Sequence, residues 1–442
     1  MQEPTSRRQL GLVSVALITF FSVCGGPFGS EPIVSACGPL IGLSALVVFP
    51  LVYSLPMNLL LAELYSAFPV DSSFCTWVDM AFGSPWGFYV GYWSWIASTF
   101  DAAVYPCLVT DSLFLHTEAT YATKTLVRIL LLTLFMAPTL FSINFVGKTS
   151  MGLAILVFAP FVLLILFALP QMNLHALTVV SPTMNYTQLI GVLFWNFRGF
   201  DAMGAYAGEI LNPKVNFHKA MLVSLVLISL TYTLPLVAAA AVNRPNYSTW
   251  TDGAYPAIAR AIGGDWLAIW VALSNTVSSF GLYMAEATAN GFRLAGMADA
   301  GLVPHCFAIR DDATGSPRRS IVFIYVLSIG MCCFDFSTIL GVTNALSILA
   351  QVVPSCAALT MRVTHPDIHR PYQVGLSTPA LVAAIVLPIA LAIAIFINQL
   401  CVNGTTLALT CAAVVLGGIV RCVLMHKSIS TTRVGYAAID KV

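Results

Sequence analysis

Apolar runs long enough to cross a bilayer recur along the entire chain, and nothing constrains its fold more. A helix needs roughly 20 residues to span the hydrocarbon core, and about twelve such runs can be marked. They cover approximately residues 10–28, 40–68, 87–115, 126–143, 151–169 and 189–207, then 222–242, 266–288, 321–336, 339–359, 379–397 and 407–420. Inside lipid every backbone N–H and C=O must be satisfied within the protein, so runs of this length can only be helical. Composition agrees, because a chain with 58% hydrophobic and 9% charged residues cannot hide its apolar surface in a water-soluble domain. The mean hydropathy is +0.86. The expectation is an all-α polytopic membrane protein. Loops are short except around "RLAGMADAGLVPHCFAIRDDATGSPRRS", which predicts one transmembrane domain over residues 1–442. The N-terminus runs from "MQEPTSRRQL" into the first apolar run without a cleavable leader, so that span is expected to be retained.

Charge distribution predicts the orientation. With the N-terminus inside, the cytoplasmic side receives Arg7, Arg8, Lys148, Lys214, Lys219, Arg293, Arg310, Arg318, Arg319, Arg362, Arg370, Arg421, Lys427, Arg433 and Lys441, which is 15 of the 20 Lys+Arg. Both termini are then cytoplasmic. The N-x-[ST] sequons at Asn185, Asn246 and Asn403 all fall in loops this topology places outside. The plasma membrane is the expected location. A net charge of +1 points to no nucleic-acid partner. The 11 cysteines form no CxxC pair and no Cys/His cluster of zinc-ligand spacing, so most read as small buried hydrophobes, and no metal or cofactor is expected. A "GKT" at Gly147 lacks the earlier glycine of a phosphate loop, and "HPDIHRP" is not a metal motif. No obligatory protein partner is evident; the lipid bilayer and a small-molecule substrate are the partners expected.

Two spans are interrupted. "SVCGGPFGSEP" breaks the first, and "NFRGFDAMG" breaks the sixth. Interrupted helices at matching places in two halves point to an inverted-repeat transporter with a site at mid-membrane. An ionised group inside a bundle is costly unless paired or hydrated, so intramembrane charge is the most informative class of residue. Glu31, Glu63, Asp101, Arg128, Arg198, Asp201, Glu209 and Glu286 lie within or at the ends of spans. Glu63 and Glu209 sit near span ends, where ion pairing is an adequate account, and Arg128 can snorkel outward. Asp101, Asp201 and Glu286 lie deeper. Asp101 and Tyr105 stand one helical turn apart, a carboxylate beside an aromatic wall suited to an amine. Around Arg198 and Asp201 stand Trp195, Phe197, Phe200 and Tyr206, and an internal Arg198–Asp201 pair stabilising the break is the simple structural alternative.

These residues carry a resemblance to the amino acid/polyamine/organocation superfamily, nearest to plant and protozoan polyamine–proton symporters of its L-type branch. The motifs are "GGPFGSE" at Gly25 to Glu31, "AEL" at Ala62, "FDAAVYPCLVTDSL" at Phe100, "FWN" with Asp201, "AGEILNP" at Ala207, "GMADAGLVP" at Gly296 and "RPY" at Arg370. The resemblance implies ten core helices in two inverted five-helix repeats, residues about 10–170 and 184–360, followed by two peripheral helices at about 376–425. It places substrate between the broken first and sixth helices and the third, eighth and tenth. In the superfamily's amino-acid carriers the first break receives a substrate carboxylate on bare amides. Here Pro27 removes one donor and Glu31 adds negative charge, which favours a cation without a carboxylate.

The expected function is a secondary active transporter importing a polyamine by proton-coupled alternating access, not an enzyme. The expected substrate-binding residues are Gly25, Gly26, Phe28, Glu31, Asp101, Tyr105, Trp195, Arg198, Phe200, Asp201 and Glu286. Glu63, Asp101 and Glu209 are candidates for the proton-coupling carboxylate. Arg198 keeps a second reading open, a proton-coupled amino acid permease in which Arg198 or the amides of Gly25, Gly26 and Phe28 hold the carboxylate. A non-transporting membrane receptor is the reading from a different class.

Overall fold

A computed structural model describes residues 8–71, 74–114, 119–402 and 404–428, so the Asn403 sequon lies outside the described residues. The helices are α1 Leu12–Val23, α2 Glu31–Cys37, α3 Pro39–Phe49, α4 Leu55–Ala67, α5 Phe74–Phe82, α6 Ser84–Leu113, α7 Tyr121–Met136, α8 Ile143–Ala168 and α9 Tyr186–Asn196. There follow α10 Ala202–Ala205, α11 Pro213–Val242, α12 Tyr255–Gly263, α13 Asp265–Asp299, α14 Arg318–Met331, α15 Phe336–Thr364, α16 Thr378–Val402 and α17 Gly404–Ser428. Among the described residues no strand forms, and the one isolated bridge pairs Leu10 with Ile210. Eight helical stretches are long and apolar enough to cross a membrane unaided: Pro39–Ala67, Tyr121–Leu140, Ile143–Gln171, Pro213–Val242, Asp265–Asp299, Phe336–Thr364, Thr378–Cys401 and Gly404–Leu424. The other four expected spans are the broken pairs α1/α2 and α9/α10, the short α14, and α6, whose Ser94, Ser98, Thr99, Asp101 and Thr110 are buried in the protein interior. The all-α polytopic architecture follows.

Both interruptions are real breaks in the backbone. Between α1 and α2, Gly25 and Gly29 adopt φ of 60° and 79°, a left-handed backbone that disfavours any side chain. Gly29 also lies under the Trp195 ring, where a Cβ would come within 2.5 Å of it. Between α9 and α10, Gly199 has φ 97°, and a Cβ there would meet the Ser22 carbonyl oxygen at 2.9 Å. The two breaks therefore touch, and the Asn196 side chain donates across to the Gly29 carbonyl at 3.4 Å. A third irregularity lies between α3 and α4, where Pro50–Ser54 form a π-helical turn. Pro50 and Pro56 bracket it in "FPLVYSLP", and prolines deprive the preceding turn of N–H donors.

Elsewhere the structure revises local expectations. The eighth span does not end at Thr288: α13 runs 35 residues to Asp299 and takes up the start of the longest expected loop. Small residues permit this, since Gly291 packs under Ile321 and Met297 against Gly91 at distances no side chain would tolerate. Two expected loops hold short helices, α5 and α12. Arg128 does not snorkel. It is buried, donating to Asp111 at 3.2 Å and to the carbonyls of Cys332 and Phe334 at 3.3 and 3.1 Å, which ties α6 and α7 to the α14–α15 connection.

Candidate functional site

A cavity lies where α1, α6, α9, α13 and α15 converge around the two breaks. Of the eleven residues singled out from sequence, seven line it: Phe28, Asp101, Tyr105, Trp195, Arg198, Asp201 and Glu286. The other four stand off it. Gly25 and Gly26 pack beneath Leu282 and against Val157 and Ser278, and the Gly25 amide already donates to the Phe20 carbonyl at 3.1 Å. Glu31 is fully buried and turned towards α12, accepting from the Tyr255 amide at 3.3 Å, while its Oε2 has no partner among the described residues. Phe200 lines a smaller adjoining cavity.

Charge pairing inside the cavity differs from the simple expectation. Arg198 does not pair with Asp201. Its Nη2 donates to Asp101 Oδ1 at 2.7 Å, with both side chains under one tenth exposed, and its Nη1 donates to Ser347 at 3.2 Å. Tyr105 donates to the other Asp101 oxygen at 3.0 Å, so the predicted one-turn pair forms and both Asp101 oxygens are engaged. Asp201 instead faces Arg293, with 3.5 Å between Oδ2 and Nη2. This contact is loose, and the Asp201 carboxylate accepts no hydrogen bond among the described residues. Arg293 is held by Ser98 Oγ at 2.9 Å and Asn290 Oδ1 at 3.4 Å. Among the described residues, three carboxylates and two guanidiniums thus share the cavity lining, and no guanidinium stands within ion-pair distance of Glu286.

Sequence reasoning missed Arg293 and counted it among loop charges. The signal was present, since Arg293 follows Glu286 by seven residues, two helical turns on one face. Ser98, Ser347 and Gln351, which also line the cavity, carry no comparable signature. The coupling candidates separate by position. Glu63 lies away from the cavity, bound by Arg362 through Nε at 2.9 Å and Nη2 at 2.5 Å and faced by Arg370 at 3.2 Å. Glu209 follows α10, where its carbonyl accepts from Gln9 and Leu10. Asp101 alone of the three lines the cavity. Among the described residues no cluster could hold a metal ion.

Two interrupted spans wrapped around a charged cavity in the middle of an apolar helical bundle define a multi-pass membrane transporter. The chain belongs to the amino acid permease family, whose model matches residues 10–419. It is similar to a probable polyamine transporter of Arabidopsis thaliana, 31% identical over 389 residues that cover 87% of this chain and 80% of the relative. A second probable polyamine transporter of that plant is 32% identical over 381 residues, covering 85% and 79%. A polyamine transporter of Oryza sativa subsp. japonica is 31% identical over 396 residues, covering 88% and 73%.

Proposed function

We propose that this transporter carries a small organic cation of the polyamine type by proton-coupled alternating access, with α1/α2 and α9/α10 as corresponding broken helices of two inverted five-helix repeats. The two repeats would span residues about 10–170 and 184–360, with α16 and α17 peripheral. The observation that carries the reading is the surplus carboxylate: with Asp101 matched to Arg198 and Asp201 to Arg293, Glu286 remains for an ammonium group. Tyr105, Trp195 and Phe28 supply ring faces for the alkyl chain and a cation–π contribution of about 0.5–2 kcal/mol. The similarity to plant transporters named for polyamines supports the same class. An amine entering beside Asp101 replaces Arg198 as its counter-charge, and a proton on Asp101 does the same, so substrate and proton compete at one position. Both termini then face the cytoplasm, and the plasma membrane is the site of action.

A second reading rests on Arg198 itself. Its guanidinium lines the cavity and its Nε has no hydrogen-bond partner among the described residues, so it offers a donor to a substrate carboxylate. Uptake of labelled putrescine, spermidine and a panel of amino acids into proteoliposomes, with and without an imposed pH gradient, separates the readings when the Arg198→Ala variant is included. The cation reading expects amine uptake that responds to the gradient and survives or rises in Arg198→Ala. Amino acid uptake abolished by that substitution would establish the second reading instead, and flux indifferent to the gradient would remove proton coupling.

A further inference from the structure

Asp201 belongs to two cavities at once. Beyond it, a smaller space is lined by Tyr53, Asn58, Phe197, Phe200 and Gln351 in addition to Asp201 itself. Asp201 and Gln351 line both spaces, which therefore adjoin. We propose that the smaller cavity is a second ammonium subsite, which takes the far end of a substrate whose near end lies by Glu286 and so sets the preferred chain length. The proposal rests on the cation reading of the main cavity.

Four observations support it. Asp201 meets Arg293 only at 3.5 Å, so its carboxylate retains acceptor capacity that a second amine can use. Asn58 is 7% exposed, and its amide has no hydrogen-bond partner among the described residues. Tyr53, Phe197 and Phe200 present aromatic rings around the carboxylate, and the Tyr53 hydroxyl, having donated to Gln351 Oε1 at 2.8 Å, keeps its lone pairs to accept from an ammonium. Finally, Tyr53 and Ser54 belong to the π-helical turn, and Ser54 Oγ donates to the Phe197 carbonyl at 3.1 Å. The irregular turn thus docks onto the sixth-span break at this cavity, and π-turns occur frequently at functional sites.

The test measures KM for putrescine and for spermidine in proteoliposomes holding the full chain, its Asn58→Leu variant and its Asn58→Asp variant, each first shown to be monodisperse in detergent. Loss of one hydrogen bond to a charged group changes affinity about tenfold. Asn58→Leu, which fills the smaller cavity with an apolar side chain, is expected to lower the preference for spermidine over putrescine by about that factor. Asn58→Asp, which adds a carboxylate beside Asp201, is expected to raise it. A preference unmoved in both folded variants overturns the second subsite while leaving the main cavity's reading intact. Wild-type protein that takes up neither amine overturns the cation reading and the subsite with it.

Discussion

Glu63→Gln separates a structural carboxylate from a proton-coupling one. Glu63 is 1% exposed at the end of α4. Its two oxygens receive Nε and Nη2 of Arg362, at 2.9 and 2.5 Å, and the Val374 amide at 3.1 Å, with Arg370 at 3.2 Å. Both guanidiniums are themselves buried, and this single carboxylate ties α4 to the end of α15 and to the segment leading into α16. Glutamine keeps the shape and one acceptor oxygen but removes the charge, which leaves two buried arginines without a counter-charge. Breaking one partner out of a buried ion pair costs about 3–5 kcal/mol, whereas an exposed pair is worth about 0–1. The buried figure applies here. Thermal unfolding in detergent should therefore show a large fall in Tm for Glu63→Gln, while uptake by the folded fraction keeps the pH dependence of the wild type. An unchanged Tm together with loss of pH-dependent uptake would refute the reasoning and restore Glu63 as the coupling acid.

Two further perturbations follow from local geometry. Gly29→Ala places a Cβ within 2.5 Å of the Trp195 ring on a backbone with φ 79°, so Trp195 must leave its place in the cavity wall; uptake should fall and KM rise, while Tm falls only modestly. At the start of α15, Asp335 accepts from the Thr338 amide at 3.1 Å and its hydroxyl at 2.7 Å, and from Ser337. Burial pushes the Asp335 carboxyl up, but these hydrogen bonds outweigh it and hold it below its ordinary value. A depressed carboxyl contributes stability that is complete above the unfolded-state pKa and is lost as pH falls through the folded one. Asp335→Ala should cost about 0.5–2 kcal/mol at neutral pH, and the gap in Tm between variant and wild type should close in acid.

Much of this protein is written in its linear pattern. Apolar runs of bilayer length force helices, because lipid offers the backbone no alternative partner. The glycines of "GGPFG" and "FRGF" mark both breaks, since left-handed backbone and close approach exclude side chains. The Asp101–Tyr105 pair was legible because a four-residue spacing is a contact within one helix. Whatever depends on which helix packs against which was not legible. Arg198 stands three residues from Asp201, yet it binds Asp101 on α6, 97 positions away in the chain, and Asp201 faces Arg293 on α13. Glu31, which reads as part of the first break's charge, is turned away to the amide of Tyr255 on α12. Sequence by itself determined the solvent, the all-helical class and where the two broken spans fall along the chain, because these follow from local hydropathy and backbone sterics. Tertiary structure alone decided the partner of each charge, because a buried ion finds its counter-charge across helices brought together by packing, where separation along the chain carries no information about distance.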